Sequence, residues 1–284
     1  MHAENIAYPH RMRFAVACLL VACSGSAPRT VEPEHGTEPD LKTRSVPNQT
    51  DAVIVEAPAD AGPDAANMTA VEMSHVKTTK FRMGSRTGHP DERPVHQVTV
   101  AAFAIDLTEV TLAAYTQCVD AKQCTVPDLQ SKACNWNHPA LALYPVNCVN
   151  FAQASAYCAY VGKRLPTEEE WELAARGTDQ RTYPWGNDVF GGEECELGTS
   201  GLPLCPVGSA PAGRSAFGVL DMIGNADEWT SSTYCPYDKP ACGDPRRSTR
   251  GGASDFIGGT ATSRTATPPN TIGDALGFRC ARTD

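Results

Sequence analysis

Three things are scarce or missing in this 284-residue chain, and each removes a class of function. Positive charge is short. Its 24 Lys and Arg stand against 33 Asp and Glu, a net charge of −9, and no basic stripe is present to meet phosphates, so a nucleic-acid binder is excluded. Long apolar runs are missing. The one pronounced run, Phe14–Ala22, falls short of the ~20 residues that a bilayer-spanning helix needs. No Cys-x-x-Cys pair occurs among the 12 cysteines, which removes the common cytosolic zinc and dithiol arrangements.

What is there points to export. That many cysteines without metal-ligand spacing suit an oxidising compartment and a disulfide framework. Arg11 and Arg13 precede the apolar run, which closes on Leu20-Val21-Ala22-Cys23. A basic flank, a short apolar core and small residues before the break form a secretory signal over residues 1–23. Leu-Val-Ala-Cys resembles the bacterial lipobox, and that resemblance implies acylation of Cys23. A plain secretory signal with a chance cysteine is the alternative. Residues 24–75 are rich in Ala, Pro, Glu, Asp and Thr and contain no aromatic residue. Such a stretch buries too little apolar surface to offset its ordering entropy, so it is expected to be a disordered tether holding the folded domain, residues 76–284, away from a membrane.

Within the domain, Val95–Val100 alternates and predicts a strand that Phe103 and Ile105 continue. Thr111 is placed to cap a helix running to about Val119, and Asn150 to cap one over Phe151–Val161 that ends at Gly162. Thr167 and Glu170 form a capping box for a third helix, which Gly177 stops. Short strands are expected at Ser248–Gly252 and Gly277–Arg282. The rest reads as loop, and so much loop calls for bridges or a bound ion as fasteners.

The stretch Phe217–Trp229, Phe-Gly-Val-Leu-Asp-Met-Ile-Gly-Asn-Ala-Asp-Glu-Trp, is the focus of the chain. Gly224-Asn225 breaks a helix, and no clean alternation supports a strand. An irregular loop pinned by Val219, Leu220, Ile223 and Trp229 is expected, with carbonyls turned inward and carboxylates from Asp221 and Glu228. Carboxylate plus carbonyl is the ligand set that Ca²⁺ prefers, although the spacing is not that of an EF-hand.

A family resemblance rests on motifs that occur in order: Phe81-x-Met83-Gly84-Ser85, Glu109-Val110-Thr111, Pro145-Val146-Asn147, the run from Gly162 to Glu172, Pro184-Trp185-Gly186, Gly224-Asn225-x-x-Glu228-Trp229, Arg250-Gly251-Gly252 and Gly277-Phe278-Arg279. The chain resembles the sulfatase-modifying-factor family, the formylglycine-generating-enzyme domain, from about Lys77 to Arg282. The resemblance implies an α+β variant of the C-type lectin fold, low in regular structure, disulfide-rich and holding structural Ca²⁺. It places one Ca²⁺ site on side chains of Asp221 and Glu228 and backbone carbonyls of Gly224 and Ala226. A second family site falls in Gly191–Cys205, where no matching Asn or Asp spacing is kept, and it is not carried over. It also implies a long-range bridge between Cys158 and Cys280. The spacing of the other cysteines suggests the local loops Cys118–Cys124, Cys134–Cys148, Cys195–Cys205 and Cys235–Cys242, though sequence does not fix connectivity.

Catalytic members of the family hold copper through two cysteines shortly after Arg-Gly-Gly, and paired thiolates suit Cu(I). Here Gly251–Ala261 contains no cysteine; Phe256 and Ala261 stand about where the thiolates would be, and Ala253 replaces the family serine. A related branch uses non-haem iron, but His75, His89, His96 and His138 have no helical pairing and read as surface or turn residues. Neither copper nor iron is therefore expected. Glu168, Glu169, Glu170 and Glu172 read as structural carboxylates favouring a helix N-terminus, Arg246, Arg247 and Arg250 as a solvated strand end, and Trp136, Trp185 and Trp229 as core or cleft wall. Ser215 and the other serines lack a His-and-Asp pattern for hydrolysis. The expected function is a non-catalytic module that binds an envelope protein, peptide or glycan. The alternative is an oxidase or oxygenase of the same superfamily with a rebuilt site, its cleft lined by Asp255, Arg264 and Arg279.

Overall fold

The computed structural model describes residues 71–127, 133–188, 204–251 and 259–284. The signal segment with Cys23, most of the tether, Cys195, Phe256 and Asp255 lie outside the described residues.

Nine short strands, three α-helices and three single-turn 3-10 helices make up the regular structure of those residues. β1 (Met73–Val76), β4 (Phe103–Asp106) and β9 (Ala281–Thr283) form an antiparallel sheet in the order β1-β4-β9. β2 (Thr79–Met83) pairs with β3 (His96–Val100). A third sheet runs β7 (Thr265–Thr267), β6 (Arg247–Arg250), β5 (Asp227–Thr233), β8 (Leu276–Gly277). One strand expectation and one boundary differ from the structure. Phe103 and Ile105 do not continue β3, because Ala101-Ala102 breaks the run and β4 enters a different sheet as its central, fully buried strand. β1 lies across the expected end of the tether, since Met73–Val76 pairs with Phe103–Asp106.

The helices begin where their caps dictate. Thr111 accepts from Ala114 N–H ahead of α1 (Leu112–Asp120). Asn150 and Gln153 cap each other's backbone before α2 (Phe151–Tyr160), and Thr167 and Glu170 do the same before α3 (Glu168–Arg176). Each cap satisfies an otherwise orphaned N–H and contributes about 1 kcal/mol. Gly177, at φ 70°, turns the chain out of α3.

Two apolar clusters result. One packs α3 (Trp171, Leu173, Ala174) against Phe81, Met83, Phe103 and Ile105 with Val219, Met222 and Ile223. The other gathers Tyr115, Tyr157, Phe278 and Trp229 around α1 and α2. Disulfides join Cys118 to Cys124, Cys134 to Cys148, Cys158 to Cys280 and Cys235 to Cys242. Cys205 is also disulfide-bonded. Bridges of this number suit an exported protein. No helix among the described residues is long and apolar enough to cross a membrane.

Candidate functional site

The loop before β5 lies between the two clusters. Val219, Met222 and Ile223 are buried on one side of it and Trp229 on the other, while Leu220 is only half-buried. Asp221, Gly224 and Asn225 all adopt left-handed backbone, at φ 57°, 80° and 54°. Asp, Asn and Gly are the residue types that tolerate that region, which explains why neither helix nor strand fits there. The irregular stretch ends earlier than expected, because β5 already begins at Asp227.

Distant motifs close around this loop. Gly224 N–H donates to Gly251 O at 3.1 Å. A Cβ on Gly251 would stand 2.8 Å from Ala226 O, so only glycine lets the Arg-Gly-Gly segment approach that carbonyl. Arg279, fully buried, donates Nε and Nη2 to the two carboxylate oxygens of Glu228, each at 2.7 Å, and also reaches Leu107 O and Leu220 O. Trp171 Nε1 adds a third donor to Glu228 at 2.8 Å. Asp221 Oδ2 accepts from Gly208 N–H at 2.6 Å.

Glu109, noted in the sequence only within the motif Glu109-Val110-Thr111, also belongs here. It is 1% exposed, and neither of its carboxylate oxygens has a hydrogen-bond partner among the described residues. Burial, then the neighbouring charge of Asp221, pushes its carboxyl well above the ordinary range, against the pull of Arg279. Three buried carboxyl groups, Glu109, Asp221 and Glu228, surround one buried guanidinium, so ionising all three would leave an excess of two negative charges. An orphaned carboxylate beside such an excess is what a hard dication would resolve. The donors fit Ca²⁺ with two qualifications. Among the described residues no three His, Cys, Asp or Glu side chains converge closely enough to hold a metal by themselves. The expected ligand Glu228 has Oε2 saturated by Trp171 and Arg279, which leaves a lone pair on Oε1 alone. Main-chain carbonyls, those of Gly224 and Ala226, are thus required to complete a shell. Glu109 is 112 residues upstream of Asp221, so no local spacing could have found it.

The region where family thiolates would stand is built differently. Ala261 is fully buried in the α3 cluster, and its carbonyl accepts from Arg250 at 3.1 Å. All nine described cysteines are in disulfides. Arg250 is no solvated strand end. It is buried, donates to Glu168 at 3.0 Å and Glu172 at 2.6 Å, and lies over the Trp171 ring. Arg264 grips Glu168 bidentately at 2.6 and 2.7 Å, and Arg176 reaches Glu172 at 3.3 Å. Glu168 and Glu172 are structural as expected, but through buried ion pairs rather than through the helix dipole. Of the residues expected to line a cleft, Arg279 is fully buried, Arg264 borders a polar pocket, and Asp255 lies outside the described residues.

Comparison with known proteins agrees with this construction. A family model, the sulfatase-modifying factor enzyme 1-like domain, matches residues 58–284. The chain is 32% identical to mouse "Inactive C-alpha-formylglycine-generating enzyme 2" over 74% of this chain and 85% of that one. It is 33% identical to the formylglycine-generating enzyme of Mycobacterium tuberculosis over 59% of this chain and 76% of that one. Among solved structures, PvdO from Pseudomonas aeruginosa superposes with a TM-score of 0.62 at 26% identity, covering 75% of this chain and 94% of that one. The fold is the C-type-lectin-like variant typical of this group, and the chain belongs to the sulfatase-modifying factor enzyme 1-like domain family.

Proposed function

We propose that this chain is an exported, lipid-anchored binding protein whose domain keeps a structural Ca²⁺ ion and carries out no formylglycine-generating chemistry. The observation that carries the reading is the state of its sulfur. Gly251–Ala261 contains no cysteine, and every described cysteine is committed to a disulfide. A Cu(I) site built on paired thiolates finds no free thiol among the described residues. The mouse relative whose name calls it inactive offers a precedent for the frame persisting without the reaction.

Glu109, Asp221, Glu228 and the carbonyls of Gly224 and Ala226 would hold the calcium. Bound there, calcium supplies a dication that offsets buried negative charge and fixes the loop leading into β5. The chain's own residues do the rest. Arg279 orients Glu228 and gathers the carbonyls of Leu107 and Leu220, which ties the loop to the segment after β4. Loops held on so rigid a frame suit recognition of an envelope protein, peptide or glycan. Cys23 would carry the acyl anchor.

Elemental analysis of the purified protein tests this reading. Calcium without copper or iron is the expected result. Stoichiometric copper or iron would overturn it in favour of a rebuilt oxidase or oxygenase.

A further inference from the structure

Two polar pockets are lined by consecutive residues of the same two segments. Loop 84–88 and Thr260 and Thr262 line the first, of about 320 Å³; the next residues of each segment, His89 to Glu92 and Ser263 to Thr265, line the second, of about 210 Å³. The wall between them includes a hydrogen bond, Thr262 Oγ1 to Glu92 Oε2, at 2.6 Å. Thr262 faces the first pocket and Glu92 the second.

Their charges are opposite. The first pocket is lined by Arg86, Arg176 and Arg181 and by no carboxylate. Arg176, 7% exposed, is paired with Glu172 at 3.3 Å, and Arg181 with Asp179 at 2.6 Å, both carboxylates standing outside the lining, so the uncompensated positive charge of this pocket is that of Arg86. Arg86 is exposed and has no carboxylate partner among the described residues. The second pocket is lined by Asp91, Glu92 and Asp227. Its one arginine, Arg264, is neutralised from behind by Glu168. Partly enclosed walls of one sign focus the field on whatever enters.

We propose that these two pockets form one bipartite cleft that binds an extended peptide carrying an acidic and a basic side chain a few residues apart, the carboxylate entering beside Arg86 and the cationic group beside Asp91. Opposite charges spaced by a few bonds are routine along a polypeptide and uncommon on a glycan, which is why a peptide is the occupant. The assignment rests on the binding-module reading above and names the partner class.

The test uses the full chain, purified with calcium, and fluorescence anisotropy with labelled Gly/Ser peptides carrying one Asp and one Arg, Asp alone, or Arg alone. The two-charge peptide is expected to bind about tenfold tighter than either single-charge peptide, and the difference should shrink in high salt. Arg86→Glu, an exposed change with no bond to lose, should abolish discrimination between the two-charge and Arg-only peptides; Arg86→Lys should keep it. Asp91→Asn, which keeps an acceptor for Tyr234, should abolish discrimination between the two-charge and Asp-only peptides. Equal binding of all three peptides, no binding of any, or preferences untouched by these variants overturns the cleft. A protein that ignores the peptides and also leaves peptide thiols unoxidised overturns the cleft alone; oxidation of the thiols overturns the reading beneath it.

Discussion

Replacing Glu109 by Gln separates the calcium account from a purely structural one, because the two predict opposite signs. Without a dication, Glu109 is a buried carboxyl with no partner, beside Asp221 and close enough to Glu228 to feel its charge. Glutamine removes the like-charge repulsion, so in chelator the variant should melt at the same temperature as the parent or slightly above it. With calcium the order reverses. If affinity resembles that of extracellular calcium modules, Kd of about 10⁻⁴ M, then calcium at a hundredfold excess over Kd stabilises by about 2.7 kcal/mol. For a domain of this size that is roughly 5–10 °C in melting temperature. The parent should gain that much and Glu109→Gln very little. Differential scanning calorimetry with calcium and with chelator reads both. The pH dependence follows the same group. Its carboxyl titrates above its unfolded value of about 4.5, so in chelator the stability it confers is complete below that pH. That stability is lost as the pH rises through the folded value, and calcium should suppress the loss. A parent protein indifferent to chelator, or a variant destabilised equally in both media, would refute the reasoning.

Further outcomes follow from the ion pairs and bridges. Arg250→Met should cost about 3 kcal/mol in urea unfolding, since Glu172 then keeps only Gly84 N–H and a 3.3 Å contact with Arg176. Arg164→Ala, which breaks a half-exposed pair with Glu170, should cost less than about 1 kcal/mol; equal losses for the two would contradict the burial argument. Opening the Cys158–Cys280 bridge, which spans 122 residues, removes about 5 kcal/mol in the chain-entropy model, far more than opening Cys118–Cys124. Cys23→Ala should abolish incorporation of labelled fatty acid while leaving export intact, and undiminished labelling would exclude that anchor.

Local signals were the readable part of the fold. The caps at Thr111, Asn150 and Thr167 and the stop at Gly177 depend on residues three or four positions apart, and the sequence states them directly. Strand β3 announced itself by alternation. β1 and β7 did not, because four and three residues are too few to show a period and their partners are remote. Charge was the hardest feature to place. Glu168 and Glu172 look like ordinary first-turn carboxylates until Arg250 and Arg264, about 80–96 residues later, reach in to bury them. The loop at Asp221 was legible as a site because its glycine, asparagine and carboxylates sit together. Glu109 was not, because it meets that loop only through the fold.

Catalytic silence is the central claim, and a peptide thiol tests it most directly. The purified chain, supplied with copper and oxygen, should leave a cysteine-containing peptide unchanged by mass spectrometry and consume no oxygen above background. Conversion of that cysteine to an aldehyde, with matching oxygen uptake, would contradict the account.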